Sequence, residues 1–151
     1  MVSAQPDGYP TVSVALSIDG AAAAIDFYKK VLGATERMRM DGSGGRVAHA
    51  ELQIGDSVVM LGDEYPEMGF VGPHTIGGTS VTIRVFVEDV DQVYAAAIEA
   101  GAQPLSEPRT EFYGDRTGQF LDPWGHRWGV ATHVEDVSPE EMEERAVELA
   151  G

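Results

Sequence analysis

The sequence predicts an α+β protein built from two βαβββ modules, and three observations carry that prediction. A strand pattern, an amphipathic helix pattern and three further strand patterns occur in that order twice, at a spacing of roughly 70 residues. Both helix patterns stop at a Gly-Ala pair, Gly33-Ala34 and Gly101-Ala102, where glycine takes the left-handed backbone of a helix end. The first strand of each module alternates strictly. Val12, Val14, Leu16 and Ile18 form one face against Ser13, Ala15 and Ser17; Val81, Ile83, Val85 and Val87 form one face against Thr82, Arg84, Phe86 and Glu88. The aliphatic face packs on the helix, and the mixed face lines whatever the sheet curves around.

The first module spans residues 11–62. It opens with a strand over 11–18 and a helix over 20–32, whose Ala24, Ile25, Tyr28, Val31 and Leu32 recur at helical spacing. Strands over 36–40, 46–54 and 57–61 follow, joined by Asp41-Gly-Ser-Gly-Gly45 and Gly55-Asp56. Residues 63–78, with Pro66, Pro73 and several glycines, form a linker. The second module spans 79–132, with a strand over 81–87 and a helix over 89–100 carrying Val90, Val93, Tyr94, Ala97 and Ile98. Its remaining strands cover 103–105, 117–121 and 126–132. A last helix over 138–150 begins with Ser138 as N-cap, Pro139 in the first turn and Glu141 closing a capping box.

Composition narrows the function. The 151 residues suit one compact unit. Twenty-five acids against ten Lys and Arg give a net charge of −15, which repels nucleic acid and is compatible with a cationic ligand as well as with plain solubility. Seven of those acids fall in residues 131–151, with a single arginine, as on a solvated helix. Zero cysteines exclude disulfides, thiolate metal sites and cysteine nucleophiles. No apolar run has membrane-spanning length, and the first residues lack the features of a signal peptide, so a cytoplasmic protein without a membrane partner is expected. Asp41-Gly-Ser-Gly-Gly45 precedes no helix and cannot cradle phosphate; no G-x-S-x-G elbow occurs.

Several segments resemble one family in the right order. Phe27-Tyr-Lys-Lys-Val-Leu-Gly33 resembles the FYxxxLG end of the first helix in glyoxalase-type modules. Val87-Glu-Asp-Val-Asp91 resembles the start of their second helix, and Asp122-Pro-Trp-Gly-His126 the turn before their last strand. Together with Phe112-Tyr-Gly-Asp-Arg116 and the segment 131–138, they resemble the PhnB-like branch of the vicinal oxygen chelate superfamily (glyoxalase, bleomycin resistance protein, dioxygenase). The resemblance covers residues 11–149. It implies an eight-stranded incomplete barrel around a ligand cavity, and a homodimer. It also implies a divalent metal held at four positions on the first and last strands of the modules. Those positions fall here on Ser13, Met60, Thr82 and Gly129, which offer no His or carboxylate, so no metal and no other cofactor is expected.

Candidate chemistry then rests on a few side chains. His49 and Glu51 stand two apart on a strand and share a face, either as a base with an orienting carboxylate or as a pair at a pocket rim. Tyr113 is a third weak catalytic candidate. Thr82, Arg84 and Phe86 on the mixed face, with Tyr113 and Arg116 near its mouth, are the ligand-binding candidates. Arg84 needs an acidic partner, Glu51, a neighbouring acid or the ligand. Arg116 clamps a ligand carboxylate or pairs with Asp115. Trp128 and His126 read as structural. The leading expectation is metal-free binding of a small organic molecule, as in ligand-sequestering resistance proteins. The alternative is a glyoxalase-like lyase, isomerase or epimerase.

Overall fold

The computed structural model describes all residues, 1–151, and the chain divides into two compact units, Met1–Thr79 and Ser80–Gly151. Each holds one open, four-stranded mixed sheet, and neither sheet closes on itself.

In the first unit the elements are β1 (Val14–Ile18), α1 (Ala21–Leu32), β2 (Thr35–Asp41), β3 (Val47–Ile54) and β4 (Ser57–Asp63). The strand order is β1-β4-β3-β2; β1 runs parallel to β4 and the other neighbours are antiparallel. The helix crossing from β1 to β2 buries Ala24, Ile25, Tyr28, Val31 and Leu32, all at or below 9% exposure, against Leu16, Ile18, Leu52, Val59 and Leu61. Gly33 ends α1 at φ 67°, a left-handed value that costs glycine nothing. The residue at the start of α1, Gly20, has no side chain to cap it. Instead Asp63 reaches across from the end of β4, accepting hydrogen bonds from Gly20 N and Ala21 N at 3.0 Å and from Val47 N at 2.6 Å. Residues 64–79 contain a tight turn at Pro66–Met68 and a one-turn helix, α2 (Pro73–Ile76).

The second unit repeats the pattern with β5 (Thr82–Phe86), α3 (Val90–Glu99), β6 (Gln103–Thr110), β7 (Asp115–Leu121) and β8 (Arg127–His133), followed by α4 (Pro139–Ala150). The order β5-β8-β7-β6 copies the first sheet. Val14 stands opposite Val59, and Thr82 opposite Arg127, 45 residues apart in both cases. The core of this unit is Trp128, Val130, Phe120, Val90, Tyr94 and Ala97. Asp122, 3% exposed, holds the turn before β8: its carboxylate accepts from Trp124 N, His126 N and the indole N–H of Trp128 at 3.0, 3.0 and 2.9 Å.

Several boundaries differ from the sequence expectation, β1, β5 and β6 among them. β1 starts at Val14 rather than residue 11, and Val12 is exposed. Val81 lies outside β5 and is also exposed, so only Ile83, Val85 and Val87 of that aliphatic row turn inward. β6 runs to Thr110 through Pro104 and Pro108. It is the outer strand of its sheet, where a missing N–H donor breaks no ladder. At α4, Ser138 accepts from Glu141 N as expected, but the Glu141 carboxylate turns to Arg145, so the capping box is only half made.

Candidate functional sites

Each sheet packs one face on its helix and leaves the other open, and the polar residues on each open face form a cluster.

On the first sheet, Ala15 and Ser17 of β1, Met60 and Gly62 of β4, and His49 and Glu51 of β3 share the open face; Glu51 lies directly opposite Met60. Glu51 is only 5% exposed. Its carboxylate accepts from His49 Nε2 at 3.0 Å and from the hydroxyl of Tyr9 at 2.6 Å. Tyr9 comes from the segment ahead of β1, 42 residues away in sequence. Its hydroxyl, then His49, holds the Glu51 carboxyl below the usual carboxylate range, against the opposing effect of burial. The Tyr9 phenol is pushed up in turn, chiefly by that hydrogen bond. The Arg37 guanidinium stacks 4.3 Å from the Tyr9 ring centre and donates to Gly8 O at 2.9 Å. A cavity of about 170 Å³ lies alongside, lined in part by Ser17, His49, Met60, Tyr65 and Phe70.

On the second sheet, strand pairing sets Thr82, Arg84 and Phe86 beside Arg127, Gly129 and Ala131, and Asp115 beside His133. Asp115 joins the cluster: one oxygen accepts from Arg84 at 2.9 Å, the other meets His133 Nδ1 at 2.7 Å. His133 Nε2 meets Asp136, also at 2.7 Å. Asp136 and then Asp115 raise the His133 pKa above its ordinary value. Arg84 also lies 5.3 Å from the Phe86 ring centre. Phe86, Tyr113, Asp115, His133, Asp136 and Met142 line an open groove of about 690 Å³.

Of the ligand-binding candidates, Phe86 and Tyr113 line one groove; Arg84 is tied to it through Asp115, and Thr82 lies farther along the same strand face. Arg116 does not join them. It lies on the helix side of β7 and makes a bidentate pair with Asp91 of α3, at 2.7 and 2.8 Å, which pulls the Asp91 carboxyl down. Its acid is thus Asp91 rather than Asp115. The acid that meets Arg84 is Asp115, while Glu51 is held by Tyr9 and His49. His133 was missed by sequence reasoning although strand alternation from Gly129 places it on this face. Tyr9 carried no sequence signal, since only the fold brings residue 9 to residue 51.

The four positions where the family resemblance puts a metal do pair up inside each module. Ser13 and Met60 line one groove of about 560 Å³, and a Cβ built on Gly129 would sit 3.4 Å from Thr82 Cγ2. Two hydroxyls, one thioether and one missing side chain do not fit a divalent ion that requires His or carboxylate donors. The nearby carboxylate, Glu51, already has both oxygens engaged.

Two open βαβββ sheets, each with a polar cluster on its free face, define the class of protein. Residues 12–130 match the model of the Glyoxalase/Bleomycin resistance protein/Dioxygenase superfamily, and the chain belongs to that superfamily. It is 39% identical over 137 residues to the Mycobacterium tuberculosis H37Rv protein Rv0887c, covering 89% of this chain and 81% of that one. Among solved structures it is similar to PA1353 from Pseudomonas aeruginosa (TM-score 0.67, 20% identity, 83% of this chain and 99% of that one). It is also similar to TioX from Micromonospora sp. ML1 (0.63, 23%, 85% and 100%) and to a PhnB protein from Bacillus cereus (0.66, 16%, 82% and 99%). No helix is long and apolar enough to cross a membrane.

Proposed function

We propose that this protein binds a small, flat organic molecule on the open face of its second module, without the metal centre for which the superfamily is known. The observation that carries the reading is Phe86: 63% exposed, it lines a groove whose charged groups converge from β7, β8 and the segment after β8. A solvent-facing aromatic flanked by oriented charged groups is what a binding site for a planar ligand needs, the ring giving area and the charges giving orientation. Arg84 is already neutralised by Asp115, so a ligand carboxylate has no free guanidinium to meet. Asp136 is fully exposed beside His133, and the chain carries −15, so a cationic ligand fits the charge balance better.

The test is a native mass spectrum of the protein expressed in its own host. The expected spectrum shows an organic adduct that Phe86→Ala loses, no stoichiometric divalent ion, and the mass of the homodimer that the resemblance implies. A stoichiometric nickel, zinc or iron ion overturns the metal-free reading; an adduct unchanged in Phe86→Ala overturns the placement of the ligand.

A second reading, acid–base catalysis, is favoured by one observation, the 3.0 Å contact between His49 and the buried Glu51. A carboxylate that fixes one imidazole nitrogen leaves the other to take a proton from a carbon acid. Incubation in D₂O with a panel of α-hydroxy ketones should then give exchange at the α-carbon that His49→Gln abolishes. Exchange that is absent, or insensitive to the variant, removes this reading.

A further inference from the structure

We propose that Glu51 and Arg37 form a receptor for a neutral phenol, and that the chain's own Tyr9 fills it as an internal stand-in for the ligand. Two contacts hold the Tyr9 side chain and a third aims the acceptor, and both contacts recognise a hydroxylated ring rather than a piece of polypeptide. The hydroxyl donates to Glu51 at 2.6 Å, the ring lies under the planar guanidinium of Arg37 at 4.3 Å, and His49 fixes the other carboxylate oxygen so that the acceptor points one way. Apart from the local bonds from Tyr9 N to Pro6 O and from Gln5 Nε2 to Tyr9 O, the peptide itself is tied by the bond from Arg37 to Gly8 O. Residues 1–13 contribute no helix or strand, so releasing Tyr9 breaks no ladder.

The charge of the surroundings selects the ligand. A carboxylate this buried needs its donors, and losing Tyr9 would leave one oxygen without a partner, so an incoming hydroxyl is favoured. An ammonium would meet Arg37, and a carboxylate or phenolate would meet Glu51; a neutral ring with one hydroxyl meets neither conflict. A groove of about 560 Å³ borders Tyr9, lined with it by Pro6, Pro10, Ser13 and Met60. Every residue of this site lies in the first unit, and none of them lines the groove at Phe86.

The probe is p-cresol, which is the tyrosine side chain without its backbone, with toluene as the ring that lacks the hydroxyl. Binding is measured by calorimetry and by amide shifts of residues 8–13 and 49–51. In Tyr9→Ala, p-cresol should bind at least ten-fold more tightly than to the wild type, and at least ten-fold more tightly than toluene binds the same variant. About ten-fold is the smaller end of what one hydrogen bond to a charged acceptor gives. Phe86→Ala should leave these affinities unchanged, which separates this site from the groove on the second module. Should Tyr9→Ala not fold, Tyr9→Phe keeps the ring but loses the bond to Glu51, and p-cresol should then compete at least three-fold better than in the wild type. Equal affinity for p-cresol with and without the Tyr9 hydroxyl, or equal affinity for p-cresol and toluene in Tyr9→Ala, overturns the proposal.

Discussion

Replacing Asp122 with alanine should unfold the second module far more easily than its position in a turn suggests. The carboxylate serves three donors. Two are backbone N–H groups of the half-exposed residues Trp124 and His126, which water can partly satisfy after the change. Each of those bonds is worth about 0.5–1.5 kcal/mol net. The third is the indole N–H of Trp128, a side chain with 0% exposure, where no water can substitute. An orphaned buried donor costs about 1–3 kcal/mol. With partial recovery at the turn, the loss should be about 3–4 kcal/mol, a large part of the roughly 5–15 kcal/mol that holds a domain together. Both tryptophans of the chain, Trp124 and Trp128, lie in this module, so fluorescence during urea unfolding reports on it alone. With a slope of about 1.5 kcal/mol per M, the midpoint should fall by about 2 M or more. Asp122→Asn keeps an acceptor for the turn but sets an amide donor against a donor, and should fall in between. A midpoint shift under about 0.5 M for Asp122→Ala would refute the reasoning, because it would mean the indole N–H finds another partner at no cost.

Asp63 plays a related part in the first module, standing in for the missing N-cap of α1. Asp63→Ala should cost about 1–2 kcal/mol, and amide exchange at Ala21 and Val47 should speed up before that of the sheet. The two candidate arginines should separate by assay. Arg116→Ala should lower the melting temperature and leave ligand affinity at the Phe86 groove unchanged, since its partner is Asp91 on the far face; Arg84→Ala should tighten a cationic ligand by releasing Asp115. His133 should make the second module pH-dependent. Its folded pKa is raised by Asp136 and Asp115, so its stabilising contribution is complete below the unfolded value of about 6.5 and is lost as pH rises through the folded one. A cationic ligand should bind better over the same rise, as the competing imidazolium disappears. His133→Gln should flatten both profiles, and unchanged profiles would place the titration elsewhere.

The fold was legible because the period-2 and period-3.6 patterns agree with the glycine stops. Every helical position named from the α1 pattern is buried, and Trp128, read as structural, has no exposure. What failed locally failed for reasons of context. β6 reads as too short because its prolines argue against a strand, yet an outer strand tolerates them. Asp115 and Arg116 cannot pair because neighbours on a strand point to opposite faces, a rule the sequence already contains. His49 with Glu51 follows from that same rule and stands in the structure as a hydrogen-bonded pair. Tyr9 with Glu51, and Arg116 with Asp91, could not be read in advance, because they depend on how the elements are stacked.

The equal 45-residue separation in the parallel pairs β1–β4 and β5–β8 bears on how the chain folds. A parallel neighbour is reached only after the helix and the hairpins between have been laid down, so this pairing completes a module rather than starting it. The entropy of closing such a loop grows only slowly with its length, by about 0.6 kcal/mol per doubling, and here it is the same twice over. Neither module has a topological head start, and each can complete its strand ladder from its own sequence. A chain made from its N-terminus can thus finish the first sheet before Arg127, which the second sheet needs for its parallel pair, has been joined to it. Any difference in folding rate between the halves must then come from side chains such as Asp63 and Asp122, since chain geometry sets both the same task.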